Sequence, residues 1–207
     1  MSGRAIPIEP AALGSWVRQR SAGAGRYLFG IAGPPGCGKS TLAGDLAETL
    51  GAPVVAMDGF HHTNATLAAR GRLDVKGAPE TFRAADFVEL VAQLRDGTEV
   101  VECPGFDRRV DEPVPGRTTV APGDSLVIVE GNYLLLDEPP WASLAELFDA
   151  IAYLDVSEEI RVRRLIDRHV EFGRSRADAA AFVRRSDALN AVRVEASRDR
   201  ADLVVSL

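Results

Sequence analysis

The chain has almost no lysine: of its 24 Lys and Arg residues, only Lys39 and Lys76 are lysines. Cysteine is equally scarce, with Cys37 and Cys103 alone. Two cysteines do not make the disulfide framework of a small secreted domain, and the simple inference is a reducing compartment, the cytoplasm. Three histidines and no Cys/His cluster exclude a zinc-ribbon or zinc-finger pattern. His61 and His62 are neighbours on an extended segment, so their side chains diverge and joint metal ligation is not the expectation; surface or substrate contact is. No apolar run reaches the ~18 residues of a membrane-spanning helix. Met1–Pro7 lacks the apolar region of a signal peptide. Aromatic residues make up 6% of the chain and form no stripe with basic ones, and the formal net charge is −6. Both weigh against nucleic acid as a partner.

What remains is an ordinary globular composition, 46% hydrophobic and 26% charged over 207 residues. That length predicts one domain of α/β size with a substantial core. Apolar β-prone runs stand at Tyr27–Ala32, Ala52–Met57, Ser125–Gly131, Ala150–Val156 and Asp202–Val205. Before them residues 10–25 read as an N-terminal helix (Leu13, Trp16, Val17) and a loose Gly/Ala linker, and between them lie helical patterns at Thr41–Leu50 with a stop at Gly51, Ala84–Leu94, Leu144–Phe148, Glu158–Phe172 and Ala177–Ser197. Residues 63–80 read as a polar excursion over the site, and 98–123, rich in turn signals, as a β-hairpin or loop insertion. Strands that alternate with helices predict a mostly parallel sheet covered on both faces, a three-layer α/β/α domain.

The strongest local signal is Gly33-Pro34-Pro35-Gly36-Cys37-Gly38-Lys39-Ser40-Thr41. It fits the phosphate-binding loop G-x-x-x-x-G-K-[ST] at every fixed position and lies between a strand and a helix. Glycines let the backbone wrap a phosphate chain, and the loop amides and helix N-terminus offer donors and positive dipole. Lys39 can reach β- and γ-phosphates, and the Ser40 hydroxyl can ligate Mg²⁺. A composition that has nearly abandoned lysine keeps one here.

Ligands on such sheets sit at the C-terminal ends of the strands, so Asp58 and Glu130 are expected to meet the loop in one cleft. Asp58 is the best-placed carboxylate to accept a proton from an attacking hydroxyl. Glu130 could hold Mg²⁺ or be a buried, hydrogen-bonded carboxylate. Asp107 either binds substrate hydroxyls or caps a turn. Of the arginines at 161–174, Arg164, Arg168 and Arg174 are the candidates to close over a nucleotide.

The ordered set of motifs resembles the phosphoribulokinase/uridine kinase family of phosphate-loop kinases, which includes bacterial pantothenate kinase. It comprises the loop, Met57-Asp58-Gly59-Phe60-His61, Pro104-Gly105-Phe106-Asp107, Glu130–Leu136, Arg163–Arg168 with Gly173-Arg174, and Arg200–Val205. The resemblance covers roughly Arg26 to Val205. It implies ATP and Mg²⁺ as cofactors, a small-molecule hydroxyl as acceptor, and Asp58 as the base. Lys39, Arg164 and Arg168 would join Asp58 in catalysis, with Gly33–Thr41 and Arg174 on the nucleotide and Ser40 and Glu130 on the metal. Asp58, His61, Asp107, Arg108 and Tyr133 would contact the acceptor, with 58–80 and 98–118 shaping its pocket and 158–176 forming a lid. Asp-Gly-Phe after the second strand is closer to pantothenate kinase than to uridine kinase. The phrases Gly77–Phe82 and Asp111–Gly116 resemble a bacterial subgroup labelled nucleoside kinase-like or fructose transport system kinase, which implies a sugar or nucleoside acceptor. A nucleotide-gated regulatory module is the rival expectation. A GTP switch is disfavoured because Asn-Lys-x-Asp is missing. A homodimer is the default among oligomers.

Overall fold

The computed structural model describes residues 5–207. In chain order the elements are β1 (Ile6–Ile8), α1 (Pro10–Ser21), β2 (Tyr27–Ala32), α2 (Lys39–Leu50), β3 (Val54–Ala56), α3 (Asn64–Ala69), α4 (Ala84–Asp96), β4 (Val101–Asp107), β5 (Glu112–Val120), β6 (Leu126–Gly131), β7 (Ala150–Asp155), α5 (Glu158–Glu171), α6 (Arg176–Phe182), α7 (Ala188–Glu195) and β8 (Leu203–Ser206). Six strands form one sheet in the order β1-β8-β7-β2-β6-β3, and every pairing in it is parallel.

The sheet is covered on both faces, which is why its strands read as continuous apolar runs. Every residue of β2 and β6 is buried. Leu28 and Ala32 enter one core cluster with Phe87, Val91 and Leu94 of α4. Phe29 and Ile31 enter the opposite one with Leu13 and Val17 of α1 and Ala43 and Leu46 of α2. This period-2 alternation builds the three-layer α/β/α arrangement.

β4 and β5 form an antiparallel hairpin outside the main sheet, with a register shift between Cys103 and Gly105. Gly59 brings it close to the strand ends: a Cβ there would lie 2.4 Å from the Pro104 carbonyl oxygen. Both cysteines are buried and free.

Four local expectations need correction. The strand after α2 covers only Val54–Ala56, and Met57–Phe60 turns into a 3₁₀ segment. The excursion at 63–80 contains a regular helix, α3, capped by the Thr63 side chain. The helix expected at 144–148 is instead a 3₁₀ segment, Trp141–Glu146. Its buried residues Trp141 and Leu144 are three apart, and side chains at that spacing eclipse in a 3₁₀ turn. The helix expected over 177–197 is interrupted by a π turn at Val183–Asp187. β1, which pairs with β8 at the sheet edge, carried too short a pattern to read.

Candidate active site

The loop between β2 and α2 lies at the C-terminal end of the central strand, where the chain leaves toward β3 on one side while β7 lies on the other. Its conformation depends on glycine. Gly36 has φ +79°, and a Cβ on it would lie 2.8 Å from the Arg161 carbonyl oxygen. The loop can therefore press against α5 only with glycine there. Gly38, with φ +103°, is the residue immediately before α2. Lys39 is buried, and its ammonium donates back to the loop carbonyls of Gly33 (2.9 Å) and Pro34 (3.2 Å).

Parallel register brings the carboxylates in. Glu130 pairs with Ile31 of β2 and Ala56 of β3, so it stands between the loop and the segment that carries Asp58. The Ser40 hydroxyl donates to Glu130 Oε1 at 2.8 Å. Burial, with Asp58 adding to it, pushes the Glu130 pKa above the usual carboxylate value against the pull of Lys39 and Ser40. Asp58 meets the opposite outcome. Burial acts to raise its pKa, but Arg108 first, then His61, Lys39 and Arg168 hold it below the ordinary value. Arg108 Nη2 donates to Asp58 Oδ2 at 2.9 Å.

His61 is buried against Phe82 and Phe106, with ring centroids 3.9 and 4.9 Å away. Its Nδ1 donates to the Asp58 carbonyl at 2.8 Å, since that oxygen can only accept. Burial outweighs the Asp58 carboxylate and lowers the His61 pKa. The ring is therefore neutral near pH 7, and Nε2 carries a free lone pair. Arg164 Nη1 donates to the Cys37 carbonyl at 3.0 Å. Burial and the nearby Arg108 lower the Arg168 pKa. The Arg174 guanidinium lies 4.3 Å from the Phe182 ring centroid.

These groups share a cleft of about 650 Å³, lined by Pro35, Gly36 and Gly38–Thr41, by Asp58, His61, Arg108 and Glu130, and by Arg164, Arg168 and Arg174. Gly33, Pro34 and Cys37 lie beneath the loop surface rather than on the cleft wall. Two expected acceptor contacts do not line it. Tyr133 is fully buried and its hydroxyl donates to the Gly77 carbonyl, tying the excursion to the sheet. Asp107 accepts from the Arg109 amide at 2.8 Å and caps the hairpin turn. The cleft also holds residues that sequence reasoning passed over, among them Lys76, Asp111, His169 and Asp187. His169 Nε2 and Asp187 Oδ2 are 3.0 Å apart. One sequence signal could have found Asp187. Ser186, Asp187 and Asn190 form a polar cluster on a helical stretch, and all three are buried.

A phosphate loop at the end of the central strand of a parallel sheet, with two carboxylates and several arginines around it, defines a phosphate-loop nucleotide-binding protein of the kinase type. The family model "Phosphoribulokinase / Uridine kinase family" matches residues 28–207, and the chain belongs to that family. A solved structure described as a "putative fructose transport system kinase" from Silicibacter sp. TM1040 is 40% identical, with TM-score 0.87 over 95% of this chain and 98% of that one. A "putative uridine kinase" of Schizosaccharomyces pombe is 36% identical over 87% of this chain and 83% of its own length. The pantothenate kinase of Clavibacter michiganensis is 33% identical over 62% of this chain and 43% of its own length. No helix among the described residues is long and apolar enough to cross a membrane.

Proposed function

We propose that the chain transfers the γ-phosphate of ATP to a hydroxyl group of a small molecule, a fructose-like sugar or a nucleoside. The observation that carries this reading is the convergence of Lys39, the Ser40–Glu130 pair and Asp58 in one cleft. In this reading the whole chain is a single kinase domain. The excursion 58–80 and the hairpin 98–118 shape the acceptor pocket, and 158–176 is a lid.

Among the described residues no three His, Cys, Asp or Glu side chains cluster to hold a metal. The donor set fits Mg²⁺ nonetheless, because that ion takes one or two protein oxygens and fills its octahedron with water and phosphate. Ser40 and Glu130 supply those oxygens from side chains already in contact. Bound there, the ion would neutralise charge developing on the phosphates.

The protein's own groups do the rest by positioning. Lys39 exchanges its two carbonyl partners for phosphate oxygens. Arg164, Arg168 and Arg174 approach from α5 and the residues after it, where added positive charge stabilises the spread negative charge of the transferring phosphoryl group. Asp58 accepts a hydrogen bond from the acceptor hydroxyl and aims its oxygen. Its lowered pKa keeps it ionised, so it can orient the hydroxyl and take its proton as the phosphoryl group transfers. His61 Nε2 and Arg108 offer an acceptor and a donor beside it for further substrate hydroxyls.

The test is an ATP-consumption screen with Mg²⁺ across ketoses, aldoses, nucleosides and pantothenate-like alcohols, with Lys39→Ala as the blank. One acceptor that raises ADP release well above the acceptor-free rate supports the kinase and names its substrate class. ATP binding without stimulation by any acceptor favours the nucleotide-gated module instead. Asp58→Asn is expected to keep ATP binding and lose at least about tenfold in turnover; unchanged turnover removes Asp58 from the role.

A further inference from the structure

The hairpin turn that presents Arg108 is held by a lysine from another segment. The Lys76 side chain is only 8% exposed, although it ends in a charge. Its ammonium donates to Asn64 Oδ1 at 2.6 Å, to Asp111 Oδ2 at 3.0 Å and to the Asp111 carbonyl. It also lies 5.1 Å from the Phe106 ring centroid. Asn64 closes the network: its Nδ2 donates to the Asp111 carbonyl at 3.1 Å, and its backbone amide donates to Glu112 Oε1 at 3.0 Å. All three donors of the ammonium are therefore spent on protein acceptors.

Asp111 shows that the turn is held in place. Among the described residues it is the one non-glycine residue with positive φ, +55°. A side chain in that conformation persists when its surroundings fix it. Three acceptors converging on one point suit a compact ammonium and not the planar fork of arginine. That accounts for a second lysine in a chain whose other 22 basic residues are arginines.

We propose that Lys76 is a positioning residue for the acceptor side of the cleft: by pinning Asp111 to Asn64 it fixes the turn Arg108–Asp111. Arg108 is thereby kept against Asp58, and Phe106 against His61. The consequence for turnover rests on the kinase reading above; the pinning is a property of the fold.

Lys76→Met keeps the aliphatic stem over Phe106 and removes the ammonium. Tryptic cleavage after Arg108 and Arg109, followed by mass spectrometry, is expected to accelerate about tenfold, because proteolysis tracks the open population. Far-UV circular dichroism stays unchanged, and affinity for a non-hydrolysable ATP analogue stays within about twofold. With the acceptor found in the screen, acceptor KM is expected to rise about tenfold while ATP KM does not move. Lys76→Arg retains the charge without the geometry and falls between the two. Should Lys76→Met fail to fold, Asp111→Asn removes one charge but tolerates the left-handed φ, and a smaller acceleration of cleavage is expected. Wild-type cleavage rates in the folded variants overturn the pinning. Faster cleavage with unchanged acceptor KM overturns the positioning role. If no acceptor stimulates the wild-type protein, the kinase reading fails, and the cleavage result alone decides the pinning.

Discussion

Asp58 and Glu130 face the same cleft in opposite electrostatic settings. Asp58 has Arg108 at hydrogen-bond distance and stays ionised well into acid. Glu130 is 5% exposed, and its main neighbour on the carboxylate side is Asp58. A carboxylate whose folded pKa is raised binds protons more readily in the folded state. It therefore costs stability as pH rises from the unfolded value through the folded one. Glu130→Gln keeps an oxygen for Ser40 and removes the buried charge. We expect this variant to gain on the order of 1 kcal/mol at pH 7, seen as a rise in thermal midpoint of roughly 2–4 °C. The gain should vanish below about pH 4, where the glutamate is itself protonated. An unchanged or lower midpoint at pH 7 would show that Glu130 is stabilised as an anion. The role assigned to it at the metal makes the same variant inactive, so stability and turnover should move in opposite directions.

At the scale of elements, the hairpin and the 3₁₀ segment after β3 that carries Asp58 are separate units joined by close backbone contact. Gly59 permits it: alanine there would place Cβ 2.4 Å from Pro104 O, which is backbone and cannot rotate away. Gly59→Ala is expected to destabilise by roughly 1–3 kcal/mol, the usual range for overpacking. A denaturant midpoint lowered at constant slope would confirm it. Because the hairpin carries Arg108, the same substitution should weaken acceptor binding more than ATP binding. The π turn at 183–187 is a second element-level device. It lies between α6 and α7 and aligns Asp187 with His169 at the end of α5, so the proposed lid is tied to the helical stretch that follows it by one side-chain hydrogen bond. Sequence periodicity read this stretch as one helix. Periodicity registers which residues are apolar, not where a turn gains an extra residue.

At the scale of the molecule, the cleft draws its walls from segments far apart in sequence, with Lys39, Asp58, Arg108, Glu130 and Arg168 all on it. Ligand that binds only the folded state must stabilise all of them together. At an ATP concentration of about 100 times Kd, with Mg²⁺, linkage adds about 2.7 kcal/mol, a shift of roughly 5–10 °C for a chain this size. Lys39→Ala should show little or none of it in the same thermal-shift experiment. An equal shift in both would place the nucleotide elsewhere. Leu73, Val110 and Phe172 are 45%, 60% and 43% exposed, and all three line this cleft. Their apolar surface is available for burial when the cleft is occupied.

By itself the sequence determined the central strands, the phosphate loop and the two carboxylates, because each depends on local chemistry. An apolar run bounded by turn residues makes a buried strand whatever surrounds it, and Gly-Lys-Ser between strand and helix makes an anion site by its own backbone. The same locality made Asp58 and Glu130 legible, since strand ends on a parallel sheet point to one edge. Only the tertiary structure decided what faces the cleft beyond them. Tyr133 and Asp107 sit in motifs that named them, yet one is turned inward to Gly77 and the other caps a turn. Lys76, Asp111, His169 and Asp187 carry no local pattern that assigns them to a site, and they reach the cleft because a hairpin, an excursion and an interrupted helix pack against one another. Such placement follows from contacts between residues tens of positions apart, and no window of sequence contains them.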